Sequence, residues 1–159
     1  MFAGVGCFSI LIAKWVESAK VYSIDINPLA IFFMEKNILL NRVFNKVIPL
    51  LGDAKIILET KLLGVANRVL MPLPEKAFEY LPFALLSLKK SGGWIHYYDF
   101  EYAKKNENPL EKIKIRVSQK LSNLGVIFDI SFSRIVRSIG PNWYQVVLDI
   151  KILNKPDRF

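Results

Sequence analysis

The stretch Met1-Phe2-Ala3-Gly4-Val5-Gly6-Cys7-Phe8-Ser9-Ile10 decides how the rest of the chain is read. Two glycines one residue apart precede Cys7, Phe8, Ile10, Leu11, Ala13, Lys14 and Trp15, a run that suits only a helix. A tight turn opening on a helix N-terminus is a place for a ligand. Glycine permits positive φ and close approach of backbone N–H groups, and the helix dipole puts partial positive charge there. The next strand, Val21 to Ile26, ends on an acid: Asp25 lies about twenty residues past the glycines, where nucleotide-binding α/β units place the carboxylate that accepts from ribose hydroxyls. Such a loop ordinarily follows a strand. Here the chain begins where that strand would be ending, so the expected sheet lacks its first strand.

Beyond this unit the pattern alternates. Asn27-Pro28 opens a helix, with Ala30, Phe33, Met34 and Leu40 on its expected buried side. Val47 to Leu51 is a short strand running into Gly52-Asp53-Ala54, a second acid at a strand end, which suits a ligand or a cap of the next helix. Arg68 to Met71 is a strand stopped by Pro72-Leu73-Pro74, expected as a rigid exposed loop. Ala77, Tyr80, Leu81, Ala84, Leu85 and Leu88 mark the buried face of a helix that Pro82 should kink. Gly92-Gly93 ends it, and Trp94 to Phe100 is a strong strand, with His96 read as a hydrogen-bonded structural residue and Tyr97, Tyr98 and Phe100 as core. Pro109 opens a helix on which Lys112, Arg116 and Lys120 recur every four residues as a basic stripe. Val126 to Val136 and Tyr144 to Leu153 are two strands joined as an antiparallel hairpin across Ile139-Gly140-Pro141-Asn142. Strand–helix alternation closed by a hairpin is an α/β, Rossmann-like class I methyltransferase sheet, with helices on both faces and ligands at the carboxyl ends of the strands.

At 159 residues and 52% hydrophobic content, one domain spanning residues 1–159 is expected, with ample apolar surface for a core. No apolar stretch is long enough to cross a bilayer and no signal peptide is visible, which points to a cytoplasmic protein without a membrane partner. One cysteine and one histidine leave no structural metal site, and Cys7 is read as a small buried residue. The formal charge of +8 directs attention to a polyanion, nucleic acid first, against the plainer reading that the cations keep an apolar chain in solution.

Read together, these motifs resemble the archaeal and eukaryotic tRNA (guanine-37-N1)-methyltransferases. Phe2-Ala3-Gly4-Val5-Gly6-Cys7-Phe8 follows that family's first motif, with Cys7 in the place of a proline. Asp25-Ile26-Asn27-Pro28 with Ala30, Asn37 and Asn41 follows the second, and Gly52-Asp53-Ala54 the third. Pro72-Leu73-Pro74 stands where the family has Asn-Leu-Pro, ahead of Gly92-Gly93-Trp94-Ile95-His96-Tyr97-Tyr98, and Val136-Arg137-Ser138-Ile139-Gly140-Pro141 is similar to the family's ending.

The resemblance implies S-adenosylmethionine held by Phe2, Ala3, Gly4, Val5, Gly6, Asp25, Ile26 and Asn27, with its adenine near Asp53 and Ala54 and its methyl group toward Pro72, Leu73 and Pro74. It implies tRNA as partner, with Lys112, Arg116, Lys120 and Arg137 as candidate phosphate contacts. The reaction is in-line methyl transfer to N1 of guanine-37, which needs alignment of both reactants, loss of the N1 proton and stabilisation of charge on O6. In the family the general base and a small tRNA-binding domain lie upstream of the first motif. The chain thus reads as the carboxyl-terminal catalytic portion of such an enzyme, completed by an amino-terminal portion or another polypeptide. The departure at Pro72 leaves open a wyosine-pathway transferase acting on a modified guanine, and a non-catalytic remnant that still binds cofactor or tRNA. A sister enzyme moving an aminocarboxypropyl group ranks below both.

Overall fold

Eleven elements follow one another in the predicted order. The structure, a computed structural model, describes residues 1–159. It divides into two compact units, residues 1–57 and 58–159.

The first unit contains α1 (Cys7–Trp15), β1 (Val21–Asp25), α2 (Pro28–Leu40) and β2 (Val47–Leu51). The strands are parallel, with Val21 opposite Val47 and Asp25 opposite Leu51. Ile10 and Ala13 of α1 meet Ile31, Met34 and Ile38 of α2 in one cluster with Val43 and Val47. Asn27 caps α2, its side chain accepting from the Leu29 N–H at 2.9 Å, and Lys46 Nζ donates to the Ala13 carbonyl at 3.0 Å near the end of α1.

Two expectations are corrected here. The buried stripe of α2 is Ile31, Met34 and Ile38, whereas Phe33 is 48% and Leu40 79% exposed. This helix is apolar on nearly every side, so composition leaves its rotation open. The contact of Met34 beneath Gly6 sets it: a Cβ on Gly6 would lie 2.7 Å from Met34 Cγ. Cys7 is exposed, because α1 turns Ser9, Ile10 and Ala13 inward and its first residue lies off that stripe.

Helix α3 (Ala54–Thr60) leads into the second unit, which continues with β3 (Arg68–Met71), α4 (Pro74–Ser87), β4 (Gly93–Tyr102), α5 (Pro109–Asn123), β5 (Ile127–Gly140) and β6 (Trp143–Asn154). Its sheet order is β3-β4-β6-β5, with β3 parallel to β4 and the remaining pairs antiparallel. The core is built by Ala77, Leu81, Ala84 and Leu85 of α4 and Ile113, Val117 and Leu121 of α5 against Ile95 and Tyr97 of β4. Trp94, His96, Tyr98, Phe100 and Tyr102 alternate with these and face the other way. Tyr98 and Phe100 are therefore half-buried on the opposite face and lie outside the core predicted for them. Helix α4 runs on through Pro82. Lys155 Nζ donates to the carbonyls of Leu85 and Leu88 at 2.6 and 2.5 Å, satisfying groups that a helix end leaves open.

The hairpin closes through Pro141 and Asn142, with Asn142 at φ 62°, the left-handed second position that follows a proline in a type II turn. Gly92 is obligatory in a different way. A Cβ there would lie 2.1 Å from the Ile152 carbonyl oxygen.

The strands form two ladders, β1-β2 and β3-β4-β6-β5. Residues Met1 to Ala3 add no strand, although the Ala3 N–H donates to the Ile24 carbonyl at 2.9 Å. No helix is long and apolar enough to cross a membrane. Leu81→Ala should lower unfolding free energy by about 3 kcal/mol in urea titrations, since Leu81 is fully buried. Gly92→Ala should prevent accumulation of folded protein.

Candidate active site

The glycine loop needs a backbone that few sequences permit. Phe2, Gly4 and Gly6 have φ of 56°, 55° and 88°, so even an aromatic residue is held in the left-handed region, at a cost of about 1–2 kcal/mol. Asp25 supplies the clamp. One carboxylate oxygen accepts from the Gly4 N–H at 2.7 Å and the other from the Asn27 N–H at 2.9 Å. The loop is pinned from α2 as well, where Asn37 Nδ2 donates to the Val5 carbonyl at 3.0 Å. A buried hydroxyl pair, Ser23 Oγ to Ser9 Oγ at 2.7 Å, fixes α1 against β1. The result is a rigid cradle. Gly4 faces open space, with nothing within 4 Å of where its Cβ would be.

Ile26 is 68% exposed beside the acid, an apolar surface for a flat ring, while the Asn27 side chain is committed to its cap. Asp53 has the capping role as well: its Oδ1 accepts from the Lys55 N–H at 2.7 Å. Ala54 is buried and offers only backbone. Phe2, Ala3, Gly4, Val5, Gly6, Asp25, Ile26, Asn27, Asp53 and Ala54 all belong to the first unit.

In the second unit the predicted exposed loop is corrected to a two-residue turn. Pro72 and Leu73 are half-buried, and Pro74 is the buried first residue of α4, whose missing N–H suits that position. The Leu73 carbonyl accepts from the Ala77 N–H at 3.0 Å. Pro72 presents a carbonyl but neither an N–H nor a side-chain amide.

Two members of the basic stripe also have intramolecular partners. Arg116 Nη2 lies 2.8 Å from Asp99 Oδ2 and 3.4 Å from Glu101 Oε2, and Lys112 Nζ lies 3.1 Å from Glu107 and 3.9 Å from Glu101. Asp99 and Glu101 are buried on β4, and unpaired charges there would be costly. The Tyr97 hydroxyl donates to Asp99 as well; burial first, then the Asp99 charge, pushes its phenol pKa well above the usual value. Lys120 rests over the Phe78 ring at 4.9 Å. Arg137 is exposed on β5, its Nε donating to Gln145 at 2.9 Å. His96 is structural as predicted. Its Nε2 accepts from Arg68 at 3.2 Å, which leaves the Nδ1–H to donate to Asp149 at 2.7 Å. An open cleft of about 410 Å³ between Arg68, Trp94 and Lys151 lies at the amino ends of β3 and β4, away from Pro72–Pro74.

Residues 1–126 match the TRM5/TYW2 methyltransferase domain. The chain belongs to that family. It is 40% identical over 152 residues to the tRNA (guanine(37)-N(1))-methyltransferase Trm5b of Pyrococcus abyssi, covering 96% of this chain and 42% of that protein. It is 41% identical, also over 152 residues, to the tRNA 4-demethylwyosine(37)-methyltransferase Taw21 of Saccharolobus solfataricus, covering 95% and 52%. Among solved structures, that of Methanocaldococcus jannaschii TYW2 in complex with AdoMet matches with a TM-score of 0.83 at 32% identity, over 97% of this chain and 67% of that one. The chain therefore spans about half the length, or less, of these two curated relatives. Its fold is the Rossmann-like α/β fold of this methyltransferase family.

In this TRM5/TYW2 domain, sequence reasoning found the glycines and Asp25 because their conformational and charge requirements are local. It missed Ser9, Ser23 and the buried acids Asp99 and Glu101, since an isolated serine or a strand acid carries no pattern. The Arg116–Asp99 pair is open to test. Arg116→Ala should destabilise the fold by roughly 2 kcal/mol, less than for a fully buried pair because this side chain is 42% exposed. The double variant Arg116→Met with Asp99→Leu should recover part of that loss in the same denaturation series.

Proposed function

We propose that this domain uses S-adenosylmethionine to methylate N1 of guanine-37 in tRNA. The observation that carries the reading is the clamped loop: Gly4 faces open space while Asp25 holds it from below. These residues fit the cofactor. Each Asp25 oxygen uses one acceptor position on the backbone and retains another for a ribose hydroxyl. Gly4 admits close approach of a ligand, and exposed Ile26 suits an adenine face. When bound, S-adenosylmethionine supplies a methyl group activated by a sulfonium centre.

The chain's own part is to bind and to orient. Pro72, Leu73 and Pro74 would shape the target-base site, with the Pro72 carbonyl as an acceptor toward the base. Proton removal from N1 falls to a group outside this turn, because none of its side chains is a base. Lys120 and Arg137 are the cations of the predicted set left to meet phosphate. The open edges of β1 and β3 favour completion by an amino-terminal portion or another polypeptide.

A second reading, methylation of 4-demethylwyosine at the same tRNA position, is favoured by the equal likeness to Taw21 and by the missing amide at Pro72. Labelled cofactor offered with unmodified tRNA and with tRNA carrying 4-demethylwyosine, each with and without the amino-terminal portion of a relative, separates the two. Methyl label on unmodified guanine-37 is the expected result. Label only on the wyosine precursor establishes the second reading, transfer of the aminocarboxypropyl group the sister activity, and cofactor binding without transfer in every arm the remnant. No cofactor binding at millimolar concentration would sink the cradle assignment.

Two glycine variants sharpen the test. Gly4→Ala should leave the protein folded and reduce cofactor affinity by at least about ten-fold, because its side chain enters the open cradle and strains a backbone held at φ 55°. Gly6→Ala should unfold or loosen the first unit through its contact with Met34, seen as a lowered thermal midpoint.

A further inference from the structure

We propose that Tyr102 and Trp143 form a stacking site for an unpaired RNA base, with Arg137 holding an adjoining phosphate. The proposal rests on the reading of this domain as a tRNA-modifying enzyme and adds to Arg137, already a candidate phosphate contact, an aromatic pair that no motif of the sequence announced.

Tyr102, the last residue of β4, lies opposite Trp143, the first of β6. Their rings meet edge to face, with centroids 5.5 Å apart and planes at 61°, and they are 38% and 45% exposed. Large aromatic groups left half in water add little to the core, and an edge-to-face pair leaves ring faces open for a flat partner. The pair is held firmly. Ladder pairing fixes both backbones, and the two-residue link at Pro141 and Asn142 fixes the hairpin end beside Trp143.

Arg137 belongs to the same surface. Gln145, two residues along β6 from Trp143 and so on its face of the sheet, pairs in register with Arg137 and accepts its Nε–H at 2.9 Å. That bond orients the guanidinium, whose terminal nitrogens enter no ion pair and suit bidentate contact with phosphate. Lys104 and Lys105, exposed just beyond Tyr102, add positive charge. Lys112 Nζ, 5.9 Å from the Tyr102 ring centre, brings a further cation to this surface, just as Arg68 and Lys151 lie 5.3 and 5.9 Å from the Trp94 ring elsewhere on β4.

Position supports the role. Met71, the last residue of β3, pairs with Tyr97, and β4 runs five residues farther to Tyr102. The aromatic pair thus lies at the carboxyl edge that carries Pro72–Pro74, roughly 17 Å farther along the strand direction. A few nucleotides span that distance. Stacking on aromatic side chains with cations at the backbone is the general way proteins hold unpaired RNA.

The test compares tRNA affinity by filter retention for the intact protein, Trp143→Leu, Trp143→Phe and Tyr102→Leu, alongside cofactor affinity and the unfolding midpoint. Trp143→Leu and Tyr102→Leu should each weaken tRNA binding about ten-fold. Trp143→Phe should restore most of it, with cofactor affinity unchanged in all three. Arg137→Gln should lower the slope of log affinity against log salt by about one phosphate contact. Wild-type tRNA affinity in folded Trp143→Leu and Tyr102→Leu would overturn the site, whether or not the protein methylates. Failure of methyl transfer by the unaltered protein bears instead on the function proposed above.

Discussion

The carboxylate of Asp25 is the constraint on which the first unit depends. By accepting from Gly4 on one oxygen and Asn27 on the other, it joins the glycine loop, the end of β1 and the start of α2. The loop that it holds contains three residues at positive φ, one of them a phenylalanine. Left to itself such a segment would relax toward commoner conformations. A charged acceptor in a half-buried setting makes stronger hydrogen bonds than a neutral one, which is why an acid suits this position better than an amide. The Ser9–Ser23 and Asn37–Val5 bonds complete the support from either side.

Charge is divided by the same logic in the second unit. A chain of +8 has more cations than acids, yet the buried acids of β4 draw on Lys112 and Arg116. Burial decides the matter. An unpaired carboxylate in the interior costs several kcal/mol, whereas a phosphate contact at the surface, screened by salt, contributes less. Arg137 has no buried acid nearby and stays exposed beside the aromatic pair that closes β4 and β6.

Much of this protein was legible along the chain. The Gly4-Val5-Gly6 turn, Asp25, the Asn27-Pro28 helix start, the stop at Pro72 and the Pro141-Asn142 hairpin are signalled by residues whose backbone demands are their own. Family membership follows from their combination. Helix rotation was not legible for α2, because a helix apolar all round contains no preferred stripe until Met34 meets Gly6. Nor was the solvent position of Cys7, which depends on where Ser9, Ile10 and Ala13 find their partners.

The sequence by itself determined the order of elements, the places where tight turns can form and the chemistry available at each strand end, since these are properties of neighbouring residues. Tertiary structure decided which polar groups are spent and which are available. Asp99 claims Arg116 from seventeen positions away, Gly4 reaches Asp25 across twenty-one, and Tyr102 meets Trp143 only because β4 and β6 pair in that register. Such assignments depend on distance in space, and burial sets their strength. The first ten residues show both contributions at once: their glycines permit the cradle, and a carboxylate from the neighbouring strand holds it open.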